Sequence, residues 1–325
     1  MSLPPILSER LRLPAVASPM FIVSGPELVI AQSKAGIVGS FPSLNARPQS
    51  LFKEWLVRIN EELAKHDADN PDRPSAPYAV NLIVHKSNDR LEEDLATVVE
   101  HRVPIVITSL GARPDVNEAV HSYGGIVLHD IINNVFAHKA VERGADGLIA
   151  VAAGAGGHAG PQSPFALVQE IRDWFDGPLL LSGSIAHGRS ILAAQAAGAD
   201  LAYIGSAFIA TDEANAVPGY KQMIVDSAAS DIVYSNLFTG VHGNYLRGSI
   251  TAAGMDPDNL GQSDPSAMDF GTGESDSTAP GAKPWRDIWG SGQGIGAVGA
   301  VLPAADLVER LIREYDEAKA RLLAL

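Results

Sequence analysis

The chain contains no cysteine. That excludes disulfides, iron–sulfur clusters, thiolate zinc sites and any cysteine nucleophile, and it is compatible with the cytoplasm, the location expected here. No apolar run is long enough to span a bilayer, so no membrane partner is expected. The first stretch, Met1 to Pro14, carries Glu9, Arg10 and Arg12 and is broken by prolines, unlike a signal peptide. Positive charge is scarce: 24 Lys and Arg stand against 38 Asp and Glu, a formal net charge of −14. A field of that sign repels phosphate backbones and argues against a nucleic-acid partner. Any anionic ligand must therefore be held by local donors such as backbone N–H groups. No HExxH motif or paired-carboxylate pattern occurs. His66, His85, His101, His121, His138 and His187 lack ligand spacing, so no metal is expected.

What is present is enough apolar material for a large core: 46% of 325 residues are hydrophobic and 19% charged. Short apolar runs alternate with amphipathic ones almost from end to end. Pro14–Met20, Ile37–Phe41, Tyr78–Val84, Pro104–Ser109, Ile126–His129, Gly147–Ala153, Pro178–Ser182 and Leu201–Gly205 read as strands. Helical spacing fills the gaps at Pro26–Lys34, Pro48–His66, Asp89–Arg102 (with Asp89 as N-cap), Asp115–Tyr123, Asn134–Arg143, Pro164–Phe175, Ser190–Ala197 and Gly219–Ser227. Gly36, Gly144 and Gly198 stand where helices should stop. From the fourth strand on the runs are continuously apolar, as in a sheet covered on both faces. Eight strand–helix units predict a single-domain (β/α)8 TIM barrel over 1–325. A doubly wound open sheet is the alternative. Thr251–Pro284, rich in Gly, Ser, Asp and Pro, reads as an insertion or lid. The tail from Trp285 ends in a helix over Ala304–Leu323 and is expected to pack near the active-site face.

The chemistry concentrates at the ends of the last strands. Ser182-Gly183-Ser184 and Gly205-Ser206 are small-residue turns that lead into helices, the place where a barrel holds a phosphate on backbone N–H groups. Gly154-Ala155-Gly156-Gly157-His158-Ala159-Gly160 lets the backbone pass close to a flat ring and raises one near-neutral titrating group, His158, at the mouth. His129-Asp130 could bind a cofactor, orient His158, or simply satisfy a histidine. Asn81, an amide inside an apolar strand, needs a partner: a ligand or a structural hydrogen bond. Met20 could lie against a ring or pack in the core. In the tail, the backbone around Gly292 and the side chain of Gln293 are candidates for closing over the cofactor. Trp285 and Trp289, four apart, read as packing anchors.

Together, SPM at Ser18–Met20, VNL around Asn81, GADGLIAVAAGAGGHAG at Gly144–Gly160, LSGSIAHGR after the seventh strand, YIGSAFIAT after the eighth and DIWGSGQGIG in the tail resemble the nitronate monooxygenase family, formerly 2-nitropropane dioxygenases. The likeness runs from Pro14 to Gly296. It implies an FMN-dependent barrel that oxidises alkyl nitronates or nitroalkanes with O2 to a carbonyl compound and nitrite. His158 would be the active-site base or nitro-group ligand. Ser182, Gly183, Ser184, Gly205 and Ser206 would hold phosphate, and Met20 and Asn81 would lie by the flavin; His129, Asp130, Gly156, Gly157, Gly292 and Gln293 are the further cofactor-binding candidates that the loops themselves offer. Two departures stand out: Ser184 replaces a frequent second glycine, and Ser18-Pro19-Met20 replaces a frequent Ala-Pro-Met. Barrels with the same glycine–histidine loop also act as NAD(P)H-dependent reductases of quinones or enoyl thioesters. A non-catalytic FMN or phosphate-ligand barrel is the third reading. A homodimer is expected on the apolar composition alone.

Overall fold

The computed structural model describes residues 3–263 and 287–324. In chain order its strands are β1 (Ala15–Ala17), β2 (Gly39–Pro42), β3 (Tyr78–Ile83), β4 (Ile105–Ser109), β5 (Ile126–Ile131), β6 (Gly147–Val151), β7 (Gly157–His158), β8 (Leu179–Ser182), β9 (Leu201–Ile204), β10 (Ile232–Ser235) and β11 (Gly243–Leu246). The helices are α1 (Pro5–Ser8), α2 (Pro26–Ala35), α3 (Ser50–Asp69), α4 (Leu91–Glu100), α5 (Pro114–His121), α6 (Asn134–Glu142), α7 (Pro164–Arg172), α8 (Gly188–Ala197), α9 (Ser206–Ile209), α10 (Pro218–Asp226), α11 (Arg247–Ala252) and α12 (Ala304–Leu323).

Strands β1, β9, β8, β6, β5, β4, β3 and β2 lie side by side, all parallel. A bridge between Val16 and Val38 brings the two edges together, so the sheet is a nearly closed (β/α)8 barrel. The expected strands are all present, most of them shortened; β5 runs two residues past its expected end at His129, and β2 starts later and ends at Pro42. The alternation of each apolar run sets what faces inward. Val16, Val38, Ala79, Ile107, Leu128, Ile149, Leu180 and Leu201 form one interior cluster, and Leu7 of α1 plugs it from the N-terminal end. Each such fully buried aliphatic contributes about 1.5–3 kcal/mol. The other side of the strands packs under the helices in two further clusters.

Helix ends follow local chemistry. Helix α2 opens with Pro26 in its first turn and closes at Gly36 in the left-handed region, φ 99°, where the glycine N–H meets the Gln32 and Ser33 carbonyls. Asp89 does not cap α4. Asn88 Oδ1 takes the Arg90 N–H at 3.1 Å instead, and Arg90 stands at the cap position with no side-chain cap of its own. Helix α12 buries Ala304, Leu307, Val308 and Leu311 on one face and closes the outer ring against α2 and α8. It comes so near that a Cβ on Gly188 would sit 2.2 Å from the Tyr315 nitrogen. No described helix is long and apolar enough to cross a membrane.

The small antiparallel sheet β10–β11–β7 was not foreseen. It binds the His158 loop to residues 232–246: Gly243 pairs with His158 and Asn244 with Gly157. Residues 264–284 of the expected insertion, and Trp285, lie outside the described residues.

Candidate active site

Two residues further along each barrel strand, beyond the apolar plug, the inward positions change character. They are Ser18 just after β1, Ser40, Asn81, Ser109, Asp130, Val151, Ser182 and Tyr203. Only Val151 is apolar. This polar layer at the C-terminal ends of the strands is the floor of the candidate site.

Its hydrogen bonds have a fixed direction. Asn81 Nδ2 donates to the Ile107 carbonyl at 3.0 Å and to Ser109 Oγ at 2.8 Å, and Ser109 Oγ donates to Asp130 Oδ2 at 2.7 Å. Both amide hydrogens of Asn81 are thereby used, and Oδ1 remains as its acceptor. Burial pushes the Asp130 carboxyl up to about 6, against the lowering effect of the Ser109 hydroxyl. Burial also raises Tyr203, helped by the Asp130 charge and opposed by the Ser18 hydroxyl.

Three loops rise from this floor. The first, after β6, is the glycine–histidine loop. The second is the turn after β8, where Gly183 has φ 136° and an added Cβ would lie 2.8 Å from the Ala153 carbonyl oxygen. The third is Gly205-Ser206 at the start of α9. Among the described residues nothing accepts from the backbone N–H groups of Gly183, Gly205 or Ser206. Two consecutive strand ends therefore present unpaired donors side by side, the chemistry of an anion cradle. Met20 reaches the same corner: its sulfur would be 3.9 Å from a Cβ on Gly205.

The tail closes over these loops, as expected. Gly292 N–H donates to Ser206 Oγ at 2.8 Å, and Gln293 N–H to the Gly154 carbonyl at 2.9 Å. A Cβ on Gly156 would stand 2.8 Å from the Gly292 nitrogen, so glycine is required for that contact. Asn244 Nδ2 donates to the Ala155 carbonyl at 2.6 Å and ties the loop to β11. Trp289 is partly buried and stacks on Tyr220, with ring centroids 4.9 Å apart.

His158 is half-buried, and desolvation pushes its imidazole down to about 4, leaving it neutral near pH 7. Its Nε2 lies 3.1 Å from Thr239 Oγ1. Thr239 was not identified from the sequence; it lies 81 residues away and only the β7–β11 pairing brings it near. His129 is placed elsewhere. It follows inward-facing Leu128 on β5 and therefore points to the helix side, where its Nδ1 meets Thr108 Oγ1 at 2.6 Å. The structure does not bring His129 to His158. Asp130, the next residue, faces the floor. Among the described residues no cluster of three or more acidic or histidine side chains could hold a metal ion.

Fold and site define a β/α-barrel protein with unpaired backbone donors at two neighbouring strand ends beside a glycine-rich, histidine-bearing loop. A family model for nitronate monooxygenase matches residues 6–314, and the chain belongs to that family. A nitronate monooxygenase of Paraburkholderia phytofirmans is 27% identical over 95% of this chain and 94% of its own length. Among solved structures, the nitroalkane oxidase of Streptomyces ansochromogenes superimposes with a TM-score of 0.77 at 24% identity, covering 97% of this chain and 99% of that one. FabK of Thermotoga maritima gives 0.75 at 23% identity, covering 98% and 97%. At such identities the structural likenesses establish the barrel fold.

Proposed function

We propose that this chain binds FMN and oxidises alkyl nitronates and nitroalkanes with O2, giving a carbonyl compound and nitrite. The observation that carries this reading is the stacking of two features. The neutral imidazole of His158 stands on the glycine loop, and the unpaired N–H donors of Gly183, Gly205 and Ser206 lie at the neighbouring strand ends.

The residues present fit FMN. Its phosphate needs local donors in a protein of net charge −14, and the loops after β8 and β9 supply them, with the Ser182 and Ser184 hydroxyls nearby. Asn81, with Oδ1 left as an acceptor, suits a ring or ribityl donor. Met20 at the β9 corner suits a ring face. Gly156 and Gly157 keep side chains out of the loop, and the Gly292–Gln293 segment is hydrogen-bonded across it to Ser206 and Gly154. Bound FMN would supply the electron acceptor and the reaction with O2. The chain itself orients the substrate, keeps His158 neutral and takes the α-proton of a neutral nitroalkane.

The test is anaerobic mixing of the flavin-loaded protein with ethylnitronate and, separately, with NADH and NADPH, following flavin absorbance. Reduction by the nitronate, with inertness to both nicotinamides, is the expected result. Reduction by a nicotinamide alone would replace this reading with a reductase acting on quinones or enoyl thioesters. Inertness to every reagent would leave a binding protein.

A further inference from the structure

Asp130 is the one acid in the polar layer, and only one of its oxygens is held. Asn81 spends both amide hydrogens, on the Ile107 carbonyl and on Ser109 Oγ. Ser109 Oγ therefore accepts from Asn81, and its own hydrogen goes to Asp130 Oδ2 at 2.7 Å. Among the described residues nothing donates to Asp130 Oδ1. The side chain is partly exposed, and from an inward position on β5 that exposure opens to the barrel mouth.

The groups around this carboxyl bring it no positive charge. Strand β3 contributes Asn81, β4 Ser109, β6 the apolar Val151, and β9 Tyr203, a phenol that burial and the Asp130 charge keep protonated. His129 points to the helices, and His158 is neutral near pH 7. Among the described residues no cation acts on Asp130, and burial by the chain alone already pushes it up to about 6, against the pull of the Ser109 hydroxyl. A cofactor seated on the floor displaces water from Oδ1 and, in the case of FMN, adds a phosphate of like charge to the same barrel mouth. Both effects disfavour a carboxylate.

We propose that Asp130 takes up a proton when the cofactor binds, so that the floor meets FMN with a carboxylic acid and not with a carboxylate. This rests on the FMN reading above and deepens it by fixing the charge state in which the site holds its cofactor. The proton comes from solvent and forms an O–H bond at Oδ1, while Oδ2 stays the carbonyl oxygen that accepts from Ser109. No electrons are transferred. The gain is a donor where there is none: the side-chain hydrogens of Asn81 and Ser109 are spent within the chain, and Asn81 Oδ1 and a charged Asp130 would both be acceptors.

The test is infrared spectroscopy of the full chain loaded with FMN at pH 7, with and without 13C-labelled aspartate. A protonated-carboxyl C=O band that shifts with the label is expected in wild type and is absent from Asp130→Asn. In Ser109→Ala the carbonyl loses its hydrogen bond, so the band should move to higher frequency. No such band in wild type, or a band that neither variant alters, would overturn the proposal. If Asp130→Asn does not fold, the label and Ser109→Ala still decide. Titration of FMN into flavin-free protein gives a second readout. Between pH 7 and 8 the wild-type Kd should rise about tenfold more than that of Asp130→Asn, a comparison that cancels the titration of the phosphate itself. Parallel Kd values would overturn the proposal. Failure of the FMN reading looks different: wild type would then bind no FMN at either pH.

Discussion

The barrel wall at His129 and the mouth at His158 hold two histidines with nearly the same signature. Burial drives each imidazole down to about 4, and each has a ring nitrogen on a threonine hydroxyl, Thr108 at 2.6 Å and Thr239 at 3.1 Å. Their surroundings differ. His129 is on a strand, turned to the helices, with 6% of its surface exposed. His158 is on a glycine loop, half-buried, at the C-terminal end of the barrel strands where the polar floor lies. A perturbed imidazole is therefore a weak pointer to chemistry by itself. The direction in which the side chain leaves the backbone, and what lies opposite, distinguish a structural histidine from a reactive one.

The largest expected effect would make that contrast plain. His158→Ala should lower turnover of neutral nitroalkanes by about 10²–10⁴-fold, the usual worth of a general base, and turnover of preformed nitronates far less. His129→Ala should leave the ratio of the two rates as in wild type. Steady-state oxygen uptake with nitroethane and with ethylnitronate measures both. A similar, small loss on the two substrates for His158→Ala would erase the difference between the two histidines.

A second effect separates His129 from its own neighbour. His129 has a folded value near 4 against 6.5 unfolded. Below pH 6.5 the unfolded chain takes up a proton that the folded one refuses, so this contribution is complete above pH 6.5 and is lost as pH falls towards 4. Asp130 has a folded value near 6 against 3.8. Its contribution is complete below pH 3.8 and is lost as pH rises through 6. Adjacent residues on opposite faces of β5 thus oppose each other over one window, each by about 2–3 kcal/mol at most. Urea unfolding at several pH values should show it. The stability difference between wild type and His129→Gln should rise with pH from 4 to 6.5. That between wild type and Asp130→Asn should fall from 4 to 6. Slopes of one sign would mean that one of the two side chains is not buried as the structure places it.

The distinction between wall and mouth was half legible in the sequence. Four of the apolar runs that became strands end near a polar residue: Asn81 in YAVNLI, Ser109 in IVITS, Asp130 in IVLHDI, Ser182 in LLLS. Period-two alternation therefore carries the plug and the floor, and it would also have turned His129 outward had it been followed through Leu128 and Asp130. The glycine loops and the helix stops at Gly36 and Gly198 were readable because only a few residue types tolerate those backbone angles. The small sheet was not readable. Strand β7 is two residues of glycine and histidine, and β10 and β11 are four residues each, too short for a period to register. Thr239 shares that fate, because its place beside His158 is made by long-range pairing and by no local pattern.

The smallest effect tests the wall directly. Thr108 and Thr239 each place a hydroxyl on a histidine ring nitrogen, and removing it should be felt in different ways. In Thr108→Val the shape is kept, but the buried His129 Nδ1 loses its partner in a place water does not reach. A buried polar group left unsatisfied costs about 1–3 kcal/mol, so the free energy of unfolding should fall by that much, seen as a lower denaturant midpoint at unchanged slope. Turnover on both nitroethane and ethylnitronate should stay as in wild type, because His129 faces the helices and Thr108 does not touch the floor. Thr239→Val should cost less stability, since the ring it touches is only half-buried. If Thr108→Val slows nitroethane turnover while leaving the unfolding midpoint in place, the wall histidine couples to the chemistry after all, and orientation along a strand is not enough to separate the two.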